Sequence, residues 1–128
     1  MTDGLGFRAT MLDDRTIEMI VSGYPAADDL VDFIHATFPA ATFSHVLWNF
    51  SGASLAMLDI ADFRKLADAG REFVAVRGPD PKTAVLVQSS VEVLLVRAYS
   101  AMTLELRPMA VHASTDRKEL LDWLGVSD

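Results

Sequence analysis

The side chains able to do chemistry are few in kind and widely spaced. The three histidines, His35, His45 and His112, fall on separate expected elements without an i,i+4 partner. Metal ligation would require them to converge in space, and no metal is expected. Ser54, His45 and Asp59 are the only residues read as a nucleophile–base–carboxylate set, which geometry rather than sequence order defines. Nothing around Ser54 has the form of a nucleophile elbow. Asp13-Asp14 and Asp28-Asp29 read more simply as a turn and a helix first turn than as an acid–base dyad. Gly4-Leu5-Gly6 precedes a strand rather than following one, against a dinucleotide fingerprint. The chain has no Cys, so thiol chemistry is excluded. The expectation is a protein that is not an enzyme and carries no cofactor.

What does gather is a polar, glycine-bearing stretch. Asn49, Ser51, Gly52, Ser54 and Asp59 follow an apolar run from Val46 to Phe50 and precede a helix start. In folds of alternating strands and helices, the loops beyond the strand ends meet ligands and partners. These five residues are the candidate partner or ligand loop.

The elements that must position this loop follow from periodicity. Phe7 to Leu12 reads as a strand, Asp13-Asp14-Arg15 as a turn, and Thr16 to Val21 as a second strand with Ile17, Met19 and Val21 on one side, an antiparallel hairpin. Pro25 is placed in the first turn of a helix, with Leu30, Phe33, Ile34 and Phe38 at helical spacing and Pro39 closing it. Val46 to Phe50 is apolar enough for a central strand. Asp59 is the expected N-cap of a helix with Ile60, Phe63, Leu66 and Ala67 inward and Gly70 as its stop. Gly78-Pro79-Asp80-Pro81 is a turn, and Thr83 to Val87 another buried strand. Ser89 and Glu92 have capping-box spacing at the head of a further helix. Met109 to Val111 is a short edge strand beside Pro108. Ser114 or Thr115 caps a last helix with Leu120, Leu121, Trp123 and Leu124 inward. The order β-β-α-β-α-β-α-β-α predicts an α/β domain over residues 1–128, a mixed, mostly parallel sheet of about five strands flanked by about four helices.

The helix from Val91 to Met102 is expected to turn Val91, Leu94, Leu95, Ala98 and Met102 inward. Val93 and Val96 then face outward and, with Tyr99 and the Met109 edge, form a candidate patch for a second copy of the chain. With a single Arg on its polar side, the helix favours protein contact over a bilayer.

Composition narrows the function classes. A 51 % hydrophobic fraction with 23 % charged residues in 128 residues is enough for one buried core and excludes disorder. The net charge of −7 opposes binding to a nucleic-acid backbone and suits a basic partner. No apolar run approaches the roughly 18 residues that span a bilayer. Met1-Thr2-Asp3-Gly4 lacks the basic and apolar regions of a signal peptide, and the absence of Cys fits a reducing compartment. A cytoplasmic protein is expected.

Three stretches carry a family resemblance: Val46-Leu47-Trp48-Asn49-Phe50-Ser51-Gly52, Lys82-Thr83-Ala84-Val85-Leu86-Val87 and Glu119-Leu120-Leu121-Asp122-Trp123-Leu124. With the element order, they make the chain resemble the STAS domain of bacterial anti-anti-sigma factors. It looks most like the SpoIIAA-like group of small bacterial proteins, whose fold is also similar to the lipid-binding Sec14 domain. The resemblance implies a regulatory or protein-interaction module. It also implies a phosphorylatable Ser directly after an Asp at the start of the second main helix; here Asp59 is followed by Ile60, so that hydroxyl is missing. Ser51 and Ser54 lie nearby but out of register. The Sec14 similarity implies, as an alternative, a binder or carrier of a small apolar ligand. Its pocket would lie among Trp48, Phe50, Leu55, Met57 and Phe63, a group whose plainer reading is core.

Overall fold

A computed structural model describes residues 5–40, 42–56, 58–78, 80–103 and 110–126. Strand β1 (Gly6–Met11) turns through Asp13, whose Oδ1 accepts the Arg15 amide, into β2 (Thr16–Gly23). Helix α1 (Ala27–Thr37), β3 (His45–Ala53), α2 (Ile60–Arg71), β4 (Lys82–Leu86), α3 (Ser90–Thr103), β5 (Ala110–Ser114) and α4 (Arg117–Leu124) follow. Short 3-10 turns at Phe38–Ala40 and Val74–Arg77 close α1 and lead into β4. The expected order is the observed one.

The sheet runs β1-β2-β3-β4-β5, with β1 antiparallel to β2 and every later pairing parallel. Strands added successively in one direction through right-handed crossovers must place every crossover helix on the same face. Accordingly, α1, α2 and α3 cover one face, packing on Ile17, Met19, Val21, Val46 and Phe50. Only α4, which crosses to no further strand, takes the other face, where Leu120, Leu121 and Leu124 pack on Leu47, Ala84 and Leu86. The period-2 alternation of each strand serves both layers. In register, Trp48 lies between Met19 and Val85 at the centre of the three-helix layer.

Helix starts show where local chemistry decided the boundaries. Asp59 caps α2 by a reciprocal box: its Oδ1 accepts from the Asp62 amide at 2.9 Å, and Asp62 Oδ2 accepts from the Asp59 amide at 3.0 Å. In α1 the N-cap is Ala26, so Pro25 lies one residue before the cap rather than inside the first turn. Asp116, not Ser114 or Thr115, caps α4, accepting from the Lys118 amide, while Ser114 Oγ accepts from the Asp116 amide. Met57, Pro79, Pro108 and Met109 lie outside the described residues.

The rotation of α3 corrects the expected patch. Val96 is 2 % exposed in the core and Val93 packs against it, while Tyr99 lies 4.5 Å from Phe63 between ring centroids. Val91 and Leu94, expected inward, are 66 % and 62 % exposed. The helix is apolar almost all round, so hydrophobic periodicity does not select its phase. Glu92 does. Its carboxylate accepts the backbone amides of Leu55 and Gln88, at 3.0 and 3.2 Å, and this fixes which side meets the sheet. Val93, Val96 and Tyr99 therefore form no outward surface for a second copy.

Candidate functional site

The candidate loop stands at the carboxyl ends of the parallel strands, and two neighbouring strands hold it. Asn49, Ser51 and Gly52 belong to β3 itself, and the connection proper begins at Ser54. Ile20 pairs with Asn49 but Ser22 with Gly52, so β3 carries one extra residue at Phe50–Ser51. That bulge bends the strand end and turns Ser51 outward. Asn49 spans it: its Oδ1 accepts from the Ser51 amide at 2.9 Å and the Ser51 hydroxyl at 2.6 Å. Its Nδ2 donates to Glu18 at 2.8 Å.

Beyond the strand, the Ser54 amide donates to the Gly23 carbonyl at 2.9 Å. Ser54 Oγ accepts from the Ala56 amide. Glu92 takes the Leu55 amide, and Gln88 Nε2 donates to the Ala53 carbonyl at 2.7 Å. Ser51, Gly52, Ala56 and Asp59 are exposed. Gly52 has no left-handed backbone angle, and an added Cβ would meet Ser22 at an ordinary 3.6 Å. The result is a polar, partly exposed edge whose backbone is tied to Gly23, Gln88 and Glu92.

His45 cannot join Ser54 and Asp59 in a triad. It sits at the opposite end of β3, about 26 Å away along the strand at ~3.3 Å per residue. Its Nδ1 accepts from the Lys82 amide at 3.1 Å. Burial, followed by the Arg15, Lys82 and Arg77 charges, holds its pKa below the ordinary 6.5. His35 pairs with Glu72 at 3.1 Å and His112 with Glu119 at 2.7 Å, so the three imidazoles serve three separate places. Among the described residues, no group of three or more His, Asp or Glu side chains gathers as metal ligands, and no helix is long and apolar enough to cross a membrane.

Three charged residues matter that sequence reasoning passed over. Glu18, on the side of β2 opposite Ile17, Met19 and Val21, is 3 % exposed. Arg117 grips it with both terminal nitrogens, at 2.6 and 2.9 Å, from 99 positions away. Burial raises the Glu18 pKa, but the bonds from Arg117 and Asn49 and the Arg117 and Arg8 charges outweigh it, leaving the carboxyl below its ordinary value. Arg77, also 3 % exposed, donates from Nε to the Ser44 carbonyl at 3.0 Å and from Nη2 to the Lys82 carbonyl at 2.8 Å.

Beneath the loop, between the sheet and the three-helix layer, is a cavity of about 140 Å³. Of the group expected as core or pocket, Trp48, Phe50, Leu55 and Phe63 line it, and Met57 lies outside the described residues. Trp48 and Phe50 stack there with centroids 5.6 Å apart. Arg77, Thr83 and Ser100 are the polar side chains in the wall.

No family model and no curated protein sequence matches the chain. Solved structures do. An uncharacterised DUF3478-family protein from Shewanella loihica PV-4, described as having a SpoIIAA-like fold, is 13 % identical with a TM-score of 0.62. The match covers 97 % of this chain and 96 % of that one. The anti-sigma factor antagonist SpoIIAA in its unphosphorylated form is 15 % identical with a TM-score of 0.58, over 94 % of this chain and 98 % of that one. The chain has a SpoIIAA-like fold.

Proposed function

We propose that the protein is a non-enzymatic regulatory module that binds a protein partner through Asn49, Ser51, Gly52, Ser54 and Asp59. The observation that supports this most is the polar, partly exposed edge just described. Three backbone or side-chain ties, to Gly23, Gln88 and Glu92, preorganise it, so binding need not first order a loop. The same fold serves the anti-sigma factor antagonist SpoIIAA, whose matching structure is of its unphosphorylated form. In this chain Ile60 opens α2 directly after the Asp59 cap, so no hydroxyl occupies the position that the resemblance assigns to phosphate. The contact is therefore read as one without that phosphoryl switch. A net charge of −7 favours a basic partner face.

The test is photo-crosslinking in cells of the source organism, with a benzophenone amino acid placed at Ser51 or Gly52, and at Lys118 on α4 as the comparison. A protein adduct from the loop positions that is missing from position 118 is the expected result. Adducts from Lys118 alone would place the contact on the opposite face and overturn the reading. A second reading, binding of a small apolar molecule, is favoured by the cavity.

A further inference from the structure

Strand β1 ends the sheet, and among the described residues no strand pairs with its outer edge. A strand in that position presents a row of N–H and C=O groups, which proteins usually blunt with proline, a bulge or charge. β1 has little of this protection. Gly6–Met11 include no Pro, pair with β2 without a register shift, and carry one charge, Arg8. All but Gly6 are exposed.

The ladder to β2 decides which backbone groups the outer edge offers. The Leu12 amide donates to the Thr16 carbonyl at 2.8 Å, continuing the register in which Met11 lies opposite Ile17. Residues of an antiparallel strand turn their N–H and C=O alternately toward one side and the other. Thr10, Arg8 and Gly6 therefore bond to β2 as Leu12 does, and Met11, Ala9 and Phe7 direct both groups outward. These three lie opposite Ile17, Met19 and Val21, core residues of the three-helix face, so their side chains share that face. Phe7 stands 5.1 Å from Phe33 of α1 between ring centroids but is 38 % exposed, and Met11 is 45 % exposed.

We infer that β1 is a homodimer edge, pairing antiparallel with the same strand of a second copy about a two-fold axis at Ala9, so that two five-stranded sheets become one. The strand's own residues select this occupant and register. A two-fold axis perpendicular to the sheet keeps each face continuous, so opposed residues must come from the same face. Centred on Ala9, the pairing sets Phe7 against Met11 of the partner subunit and Arg8 against Thr10 of the partner subunit, each twice. The outward groups of Phe7, Ala9 and Met11 then meet their counterparts in about six backbone hydrogen bonds. Moving the axis to Arg8 would oppose two guanidinium groups, and moving it to Thr10 would set Phe7 against a carboxylate, Asp13. A net charge of −7 opposes self-association in general, and β1 is a stretch without negative charge.

Sedimentation equilibrium should give twice the 14.0 kDa chain mass. Ala9→Pro removes a donor from the outer edge and none from the ladder to β2, so it should weaken association more than about tenfold. Ala9→Lys and Ala9→Glu should each dimerise severalfold more weakly, and their equal mixture should recover the loss, which also shows that both fold. The chain has no Cys, so a thiol at position 9 is unique. Opposed residues of a hydrogen-bonded pair have Cα atoms about 5.5 Å apart, within disulfide range. Ala9→Cys should therefore oxidise to a covalent dimer, and Lys118→Cys on α4 should not. A monomer at every concentration, a dimer that Ala9→Pro leaves intact, or equal association of the Lys and Glu variants alone and mixed would overturn the inference. So would a disulfide dimer of Lys118→Cys without one of Ala9→Cys. Asn49, Ser51, Gly52, Ser54 and Asp59 take no part in this contact, so its failure and that of the loop contact are read separately.

Discussion

At the residue scale, the Glu18–Arg117 pair has the clearest energetic consequence. The Glu18 side chain is 4 % exposed, that of Arg117 41 %. Arg117→Ala would leave a carboxylate in the sheet without its fork, and the partial access of water at Arg117 puts the cost near 2–3 kcal/mol, at the low end for breaking a buried pair. Urea unfolding should show this loss, and the double change Glu18→Leu with Arg117→Met should recover most of it. His45 has a different signature. Its folded pKa lies below 6.5, so the unfolded chain takes up the proton first as pH falls. Stability should decline as pH drops below about 6.5 and level off below the folded pKa. His45→Asn, which keeps an acceptor for the Lys82 amide, should flatten that limb in thermal melts at pH 5 to 7. Glu18 adds a lower limb: its stabilisation is present above the ordinary 4.5 and is lost as pH falls through its depressed value. The Glu18–Arg117 pair was not legible from sequence. Glu18 sits on the polar side of an alternating strand, and its partner lies 99 positions away, where no local pattern points.

At the element scale, strands and helix boundaries were largely legible because period-2 alternation, caps and turns are local signals. Asp59 capped the helix it was expected to cap, and the hairpin turned at Asp13. The phase of α3 was not legible, since Val91, Val93, Leu94, Leu95 and Val96 supply apolar surface in nearly every direction. A tertiary contact settled it, through the Glu92 carboxylate. Glu92→Ala should therefore do more than weaken a cap. It orphans the Leu55 and Gln88 amides, should cost about 1–3 kcal/mol, and should speed amide exchange at Leu55 and Gln88 more than in the strand interiors. Gly70 is the converse case. It lies within α2 next to open space, so Gly70→Ala should raise stability by up to about 1 kcal/mol through helix propensity. A fall in Tm would show that the cavity-facing side of α2 is tighter than its geometry indicates.

At the scale of the whole molecule, sequential strand order gathers three helices on one face and leaves the other to α4. That asymmetry places the cavity under α1, α2 and α3, with Leu55 and Leu58 of the connecting loop in its wall. The loop that forms the exposed edge is thus also part of the cavity wall. The central claim is nonetheless the contact edge itself. Gly52 is exposed and a Cβ added there meets only ordinary contacts, so Gly52→Arg is expected to alter the surface and keep the fold. The most direct measurement is the affinity of the crosslinked partner, once purified, for the original chain, for Gly52→Arg and for Lys118→Glu on the α4 side. The account expects Gly52→Arg to weaken binding by at least about tenfold, as a buried, unpaired charge at an interface should, with Lys118→Glu nearly unchanged. Equal affinity of the original chain and Gly52→Arg would contradict it.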